Sequence, residues 1–180
     1  MFMHCRTALL GIFLLFFTVV QSAAHAAGVA VDPASRLLPV PQKVALTNQS
    51  ISLTSAWTIA HGANIAKDDI AITDLLHELK RRFNLHIGLQ SSSKTAAVPA
   101  RTIRLTLRPG SVPIGPANGY KPEELKKQAY RIRLGSNGIE IIANASAGLF
   151  YGVQTLLQLV QEDNDKISLP QGEITDWPDL

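Results

Sequence analysis

The run Ser146-Ala147-Gly148-Leu149-Phe150-Tyr151-Gly152-Val153-Gln154-Thr155-Leu156-Leu157-Gln158-Leu159 constrains the fold more than any other part of this chain. Leu149, Val153, Leu156 and Val160 recur at three- and four-residue steps, with Phe150 and Leu157 beside them. That spacing predicts an amphipathic helix over residues 147–161, with Ser146 as its N-cap. Gly148 and Gly152 stand four apart and so share a helix face. Each glycine costs a helix up to about 1 kcal/mol against alanine, so a plain surface helix has no use for two. They mark a face that another backbone approaches closely, either the sheet of the same domain or a following domain. Gln154 and Gln158 repeat the spacing and can bond to loops or a neighbouring domain. Thr155 can bond back to a carbonyl one turn earlier.

A second helix is predicted over residues 68–83, where Ile72, Leu75, Leu76, Leu79 and Phe83 share one face. Asp68 and Asp69 at its start and Lys80, Arg81 and Arg82 at its end complement the helix dipole. Asn84 suits a left-handed cap. Strands are expected at 44–46 and 51–53, separated by a turn at Asn48-Gln49, and at 57–60. Thr102 to Leu107 alternates as a half-buried strand with Ile103, Leu105 and Leu107 inward. Segments 129–134 and 139–143 flank Gly135-Ser136-Asn137-Gly138 and read as a hairpin. Residues 91–99 read as a polar loop, and 108–121, with three glycines and three prolines, as irregular. Strands thus arrive in groups with only two helices between them. The expected class is α+β: a two-layer sandwich, a mixed or antiparallel sheet with two amphipathic helices on one face.

Residues 1–26 read as a signal peptide preceding that domain. Arg6 supplies the positive end, 8–20 the apolar stretch, and Ala24-His25-Ala26 the small residues of a cleavage site. A membrane span needs roughly 20 apolar residues, so no permanent membrane anchor is expected. The protein is expected to be exported, periplasmic or secreted. Residues 27–43 read as an extended lead-in, because Pro33, Pro39 and Pro41 oppose helix. The folded domain is expected over 44–172, and 173–180 as the start of a junction. The single cysteine, Cys5, lies in the leader, so the exported part has no disulfide. The net charge of +3 loses one unit with Arg6. No basic stripe or row of stacking aromatics points to a nucleic-acid partner.

No catalytic, cofactor or metal residue is expected. The adjacent carboxylates Asp68-Asp69, Glu123-Glu124 and Glu162-Asp163 sit at helix ends or in loops among polar residues. A working acid needs an apolar setting that raises its pKa. His77-Glu78 begins like a zinc-protease helix, but the second histidine position holds Arg81. His61 and His86 stand alone. No serine lies in a Gly-x-Ser-x-Gly elbow, and Gly110, Gly115 and Gly119 mark a loop rather than a phosphate cradle. Asn48-Gln49-Ser50 and Asn144-Ala145-Ser146 match the glycosylation sequon. In the second, a glycan would compete with the helix cap.

Four segments in order carry a resemblance: Leu38-Pro39-Val40-Pro41-Gln42-Lys43-Val44, Gln128-Ala129-Tyr130-Arg131-Ile132, the helix from Ala147 to Leu159, and Ile174 with Asp176-Trp177-Pro178. Together they resemble the N-terminal, non-catalytic α/β domain of glycoside hydrolase family 20, the β-N-acetylhexosaminidases. The helix, Gly-x2-Tyr-Gly-x-Gln-Thr-Leu-x-Gln-Leu, is the most specific of them. The ending Asp179-Leu180 departs from the Arg-Phe frequent in that family. The resemblance implies that 44–172 is the family's N-terminal-like domain and 173–180 the junction to a catalytic (β/α)8 barrel, with which it partners. It also implies that hydrolysis of terminal N-acetyl-hexosamines belongs to that barrel, where the sugar's own acetamido group attacks and an Asp-Glu pair assists. No position here corresponds to that pair. A chain ending at Leu180 is therefore expected to be a truncated accessory domain, inactive alone, and a barrel-covered face should show an apolar patch including Trp177 and Leu180. The alternatives are a stand-alone amino-sugar or chitin-binding module presenting Trp57, Tyr120, Tyr130, Tyr151 or Trp177, and the matching domain of a family 84 β-N-acetylglucosaminidase or an α-glucuronidase.

Overall fold

Apolar side chains on alternate positions of successive strands leave one sheet face greasy, and that face collects the helices. The computed structural model describes residues 32–91, 98–115 and 121–178; the leader, most of the 91–99 loop, Gly119, Tyr120 and Leu180 lie outside them. The strands are β1 (Lys43–Leu53), β2 (Thr58–His61), β3 (Gly88–Ser91), β4 (Thr102–Leu107), β5 (Tyr130–Leu134), β6 (Gly138–Ala143), β7 (Gln161–Asp163) and β8 (Lys166–Asp176). The helices are α1 (Ile70–Phe83), α2 (Pro122–Gln128) and α3 (Ser146–Leu159). The sheet runs β1-β8-β5-β6-β4-β2-β3, with β7 also paired to β8. It is mixed: β3, β2, β4 and β6 run parallel, and β6-β5-β8-β1 antiparallel. The α+β class holds. Among the described residues no helix is long and apolar enough to cross a membrane.

The core lies between the sheet and α1 and α3. Ile59, Ile103, Leu105, Ile132, Ile139, Ile141 and Ile174 meet Ile72, Leu75 and Leu79 of α1 and Leu149, Val153 and Leu156 of α3, all fully or nearly fully buried. Asp69 caps α1 by accepting from the Ala71 amide at 2.9 Å, and Asn84 closes it at φ 52°. The hairpin forms as expected, with Gly135 and Gly138 exchanging both backbone bonds.

Several expectations are corrected. There are three α-helices, not two: α2 is only seven residues, too short for an apolar period, and is set by Pro122 in its first turn and by Glu123–Lys126 and Glu124–Lys127 pairs. No turn separates 44–46 from 51–53; they form one strand, β1, whose pairing with β8 shifts between Leu46 and Ser50. The lead-in holds a 3-10 turn, Pro33–Arg36, capped by Asp32, since proline is tolerated in a first turn. β4 is buried on both faces: Ile103 and Leu105 are fully buried on the helix side, and Thr102 and Arg104 are nearly so on the other, where Arg104 lies beside Glu140 of β6. Finally, α3 has almost no wet side: among its residues only Ser146, Ala147 and Tyr151 are exposed. β3, β7 and β8 carried no strand signal, and residues 173–176, expected in the junction, are the end of β8.

Of the paired glycines of α3, Gly148 faces the link from α2 to β5 and Gly152 faces the sheet. A Cβ on Gly148 would stand 2.5 Å from the Ala129 carbonyl, and one on Gly152 2.8 Å from Ile141 Cγ2 and 3.1 Å from the Tyr130 ring. Gly148→Ala, which must push a backbone carbonyl, is expected to lower stability by about 1–3 kcal/mol, despite the roughly 1 kcal/mol that alanine adds to a helix. Urea unfolding checks this; a variant more stable than the parent would show that α3 does not lie this close.

Candidate functional site

Where β5 and β8 run out beside α3, the sheet leaves a cavity of about 290 Å³ lined by Leu38, Tyr130, Tyr151, Gln154, Asp176 and Trp177, with Pro39, Gln128, Thr155, Gln158 and Pro178 completing the wall. Tyr130 and Asp176 are cross-strand partners. The Tyr130 hydroxyl donates to Asp176 Oδ2 at 3.0 Å and lies 2.5 Å from Thr155 Oγ1. With the phenol's single proton on Asp176, the Thr155 hydroxyl is the donor of that second bond. Thr155 thus bonds across to β5, not back along its own helix as its sequence position suggested. Asp176 Oδ1 accepts from the Gln42 amide at 3.1 Å. Gln158 clamps Leu38 twice, its Oε1 accepting from the backbone N–H at 2.8 Å and its Nε2 donating to the carbonyl at 3.2 Å. Gln154 reaches α1, donating to Asp74 Oδ2. The glutamines therefore do bond to a loop and to a neighbouring element.

Burial pushes the Tyr130 phenol well above its usual range; the Thr155 bond opposes this, and the negative charge of Asp176 adds to the upward push. The phenol is therefore a neutral donor at any physiological pH, with a structural part to play.

The carboxylates named from sequence do not converge on this cavity. Asp69 caps α1, Glu123 and Glu124 pair with lysines on α2, and Glu162 and Asp163 lie in β7, with Asp163 exposed. His77 and Glu78 come within reach of Asp74 on α1. Yet both Glu78 oxygens are taken by Arg81, at 2.8 Å to Nε and 2.5 Å to Nη2, and Arg81 holds the Glu78 carboxyl down to about 2. His61 Nδ1 sits 2.9 Å from the Ile65 carbonyl. Of the aromatics, Trp57 is buried and donates to the Ser52 carbonyl, Tyr130 is buried, and Tyr151 is exposed. Trp177 is half-buried against Val112, Ile114 and Ile142 rather than standing in an open patch.

Asn144 is a residue whose work the sequence did not show. Its side chain accepts from the Val112 amide at 2.9 Å and donates to the Val112 and Lys126 carbonyls at 2.8 and 2.9 Å. The nitrogen a glycan would need is buried and committed. The N-cap of α3 is Ala145, with no side-chain bond, in place of Ser146. Only the repeated Asn-x-Ser pattern drew attention to Asn144, for a different reason.

The fold and the site define a small α+β domain whose mixed sheet carries helices on one face, and whose cavity groups tie its lead-in to its last strand. Residues 34–177 match the family described as glycosyl hydrolase family 20, domain 2, and the chain belongs to that family. It is 24% identical over 125 residues to a lacto-N-biosidase from Bifidobacterium bifidum, an alignment covering 69% of this chain and 10% of that protein. Among solved structures it resembles an exo-β-N-acetylglucosaminidase from Vibrio harveyi (TM-score 0.60, 24% identity, 81% of this chain and 19% of that one). A chitobiase from Flavobacterium johnsoniae is similar as well (TM-score 0.56, 25% identity, 79% and 21%). The chain spans a tenth to about a fifth of the length of these relatives.

Tyr130→Phe removes both hydroxyl bonds and is expected to cost about 1–3 kcal/mol at pH 7, read from the urea midpoint. The sign of its pH dependence follows from the raised phenol. Below about pH 10, the unfolded tyrosine value, folded and unfolded chains both keep the proton and the contribution is constant. Above it the unfolded chain loses the proton first, so stability falls with rising pH, by about 1.4 kcal/mol per unit. Tyr130→Phe should lose that component of the slope; identical slopes in parent and variant would show that the phenol is not shielded.

Proposed function

We propose that this chain is the accessory N-terminal domain of an exported β-N-acetylhexosaminidase, an enzyme that removes terminal N-acetyl-hexosamines, and that it is inactive alone. The observation that carries this reading is the family 20 domain 2 match over residues 34–177. The state of Asp176 supports it. Glycoside cleavage uses two acidic groups about the scissile bond, or in substrate-assisted enzymes an acid and an orienting carboxylate. Asp176 is the one carboxylate among the residues lining the cavity, and both its oxygens are bonded to the domain's own groups. Catalysis then resides in a (β/α)8 barrel partner, and this domain serves as its support. The family 20 match favours this over the family 84, α-glucuronidase and free-standing sugar-binding readings.

The purified chain, incubated with 4-nitrophenyl N-acetyl-β-glucosaminide, is expected to release no more nitrophenol than buffer. Turnover that disappears in Asp176→Asn would overturn the reading of an inactive support. Export is tested separately: N-terminal sequencing of the protein recovered outside the cytoplasm is expected to begin at Ala27, and recovery of the intact leader would contradict it.

A further inference from the structure

The turn between β5 and β6 holds the step Asn137-Gly138, and the fold itself imposes that glycine. A Cβ on Gly138 would stand 2.7 Å from Val98 Cγ1, 3.0 Å from the Pro99 carbonyl oxygen and 3.3 Å from that of Thr102. The segment leading into β4 therefore leaves no room for a side chain here. A glycine after an asparagine also lacks the Cβ that would shield its backbone nitrogen from the asparagine side chain. Asn137 itself is exposed, and its carboxamide has no hydrogen-bond partner among the described residues. Packing thus sets an unhindered nitrogen one residue beyond a free, solvated amide.

Two backbone bonds oppose reaction between them. The Gly138 N–H donates to the Gly135 carbonyl at 3.2 Å, and the Asn137 carbonyl accepts from the Arg101 N–H at 2.6 Å. The first occupies the proton that the nitrogen must lose before it attacks. The second fixes the peptide plane that joins the two residues. Both are released when the turn opens locally.

We propose that Asn137 is a self-modification site, gated by opening of the β5–β6 turn and unlatching that turn once it has reacted. The Gly138 nitrogen attacks the side-chain carbonyl carbon of Asn137. The new C–N bond closes a succinimide, and the side-chain nitrogen leaves as ammonia, carrying the proton that Gly138 gives up. Water then adds across one C–N bond of the ring. Opening at the main-chain carbonyl gives isoaspartate, in which the chain runs through the former side chain and gains one backbone carbon. The oxygen that held Arg101 then belongs to a free carboxylate outside the main chain. The added carbon falls where β4 and β6 begin to pair, with Thr102 opposite Gly138, and next to the Leu134–Ile139 pair of β5 and β6.

The test uses the purified chain carrying Asn118→Gln, which removes its other Asn-Gly step, outside the described residues. It is incubated in mildly alkaline buffer with and without denaturing urea. Peptide mapping reads the change of mass at Asn137, and isoaspartyl methyltransferase with a labelled methyl donor counts the isoaspartate. Conversion is expected in both samples, at least about tenfold slower in the folded chain, which is an opening free energy of at least about 1.4 kcal/mol. Equal rates, a folded chain that never converts, or no conversion in urea would each overturn the site. The isoaspartate form, separated by ion exchange, is expected to unfold at a urea midpoint lower by on the order of 0.5 M. Asn137→Asp adds the same charge without lengthening the backbone, and should move that midpoint by less than half as much. An unchanged midpoint in the isoaspartate form, or an equal shift in the aspartate variant, overturns the unlatching.

Discussion

The close approach of α3 to β5 sets the geometry of the open end of this domain. Gly148 and Gly152 remove the two Cβ atoms that would hold the helix away from the Ala129 carbonyl and the Tyr130 ring. Thr155 follows Gly152 by three residues and shares that face, so its hydroxyl arrives within bonding range of the phenol. A helix displaced by even one methyl group would break that bond and leave the phenol with Asp176 as its one partner among the described residues. The next stripe round the helix, Tyr151, Gln154 and Gln158, then points away from the sheet. It meets α1 through Asp74, the lead-in through Leu38, and the solvent. One steric permission thus divides the helix into a face that locks the domain and a face open to contact.

Much of this was legible where a local rule applied. The glycine pair, the apolar periods, the Asn84 cap and the hairpin around Gly135 and Gly138 each express a requirement met within a few residues of sequence. β8 expresses none. Its interior holds Pro170 and Gly172, residues that weaken a strand on their own. Its eleven residues are extended because β1 pairs along one side and β7 and β5 lie end to end along the other. Pro170 stands opposite Ser50, where the register of β1 shifts, and Gly172, at φ +142°, takes a conformation that a side chain would strain against Ala45. The Tyr130–Asp176 bond was unreadable for a related reason. The two residues are 46 apart and meet only because two strand registers place them opposite each other. Thr155 could be seen as a bonding group, yet its partner could not.

The sheet's other face solves a different problem. There Arg104, Glu140, Arg133, Glu173 and Arg131 alternate in sign across β4, β6, β5 and β8, with nitrogen–oxygen separations of 3.1 to 4.0 Å. Each sits beside an opposite charge at a paired or diagonal position, the arrangement that stabilises a sheet surface. The exposed outer pairs contribute little individually, at most about 1 kcal/mol. The inner end is more enclosed, with the side chains of Arg104 and Glu140 only 7% and 14% exposed. A partner pressed onto this ladder would have to desolvate charges already neutralised by their neighbours, with small return. The two faces therefore differ in what they offer: one is electrostatically closed, while the other ends in an apolar opening.

The end of β8 joins the two faces. Strand alternation sends consecutive side chains to opposite sides, so Asp176 enters the Tyr130–Thr155 network while Trp177 turns to Val112, Ile114 and Ile142. Trp177 packs against Gly115, where any side chain would collide with its indole at 2.9 Å, and the Lys43 ammonium lies 5.5 Å from the ring centroid. Asp176 meanwhile ties the strand to the lead-in through Gln42. The backbone leaving at Pro178 is thus gripped from above by a hydrogen-bonded carboxylate and from below by a packed aromatic. Either grip alone would leave a pivot, because a single anchor on an edge permits rotation about it. Two anchors at successive residues fix the direction of the backbone at this point as well as its position.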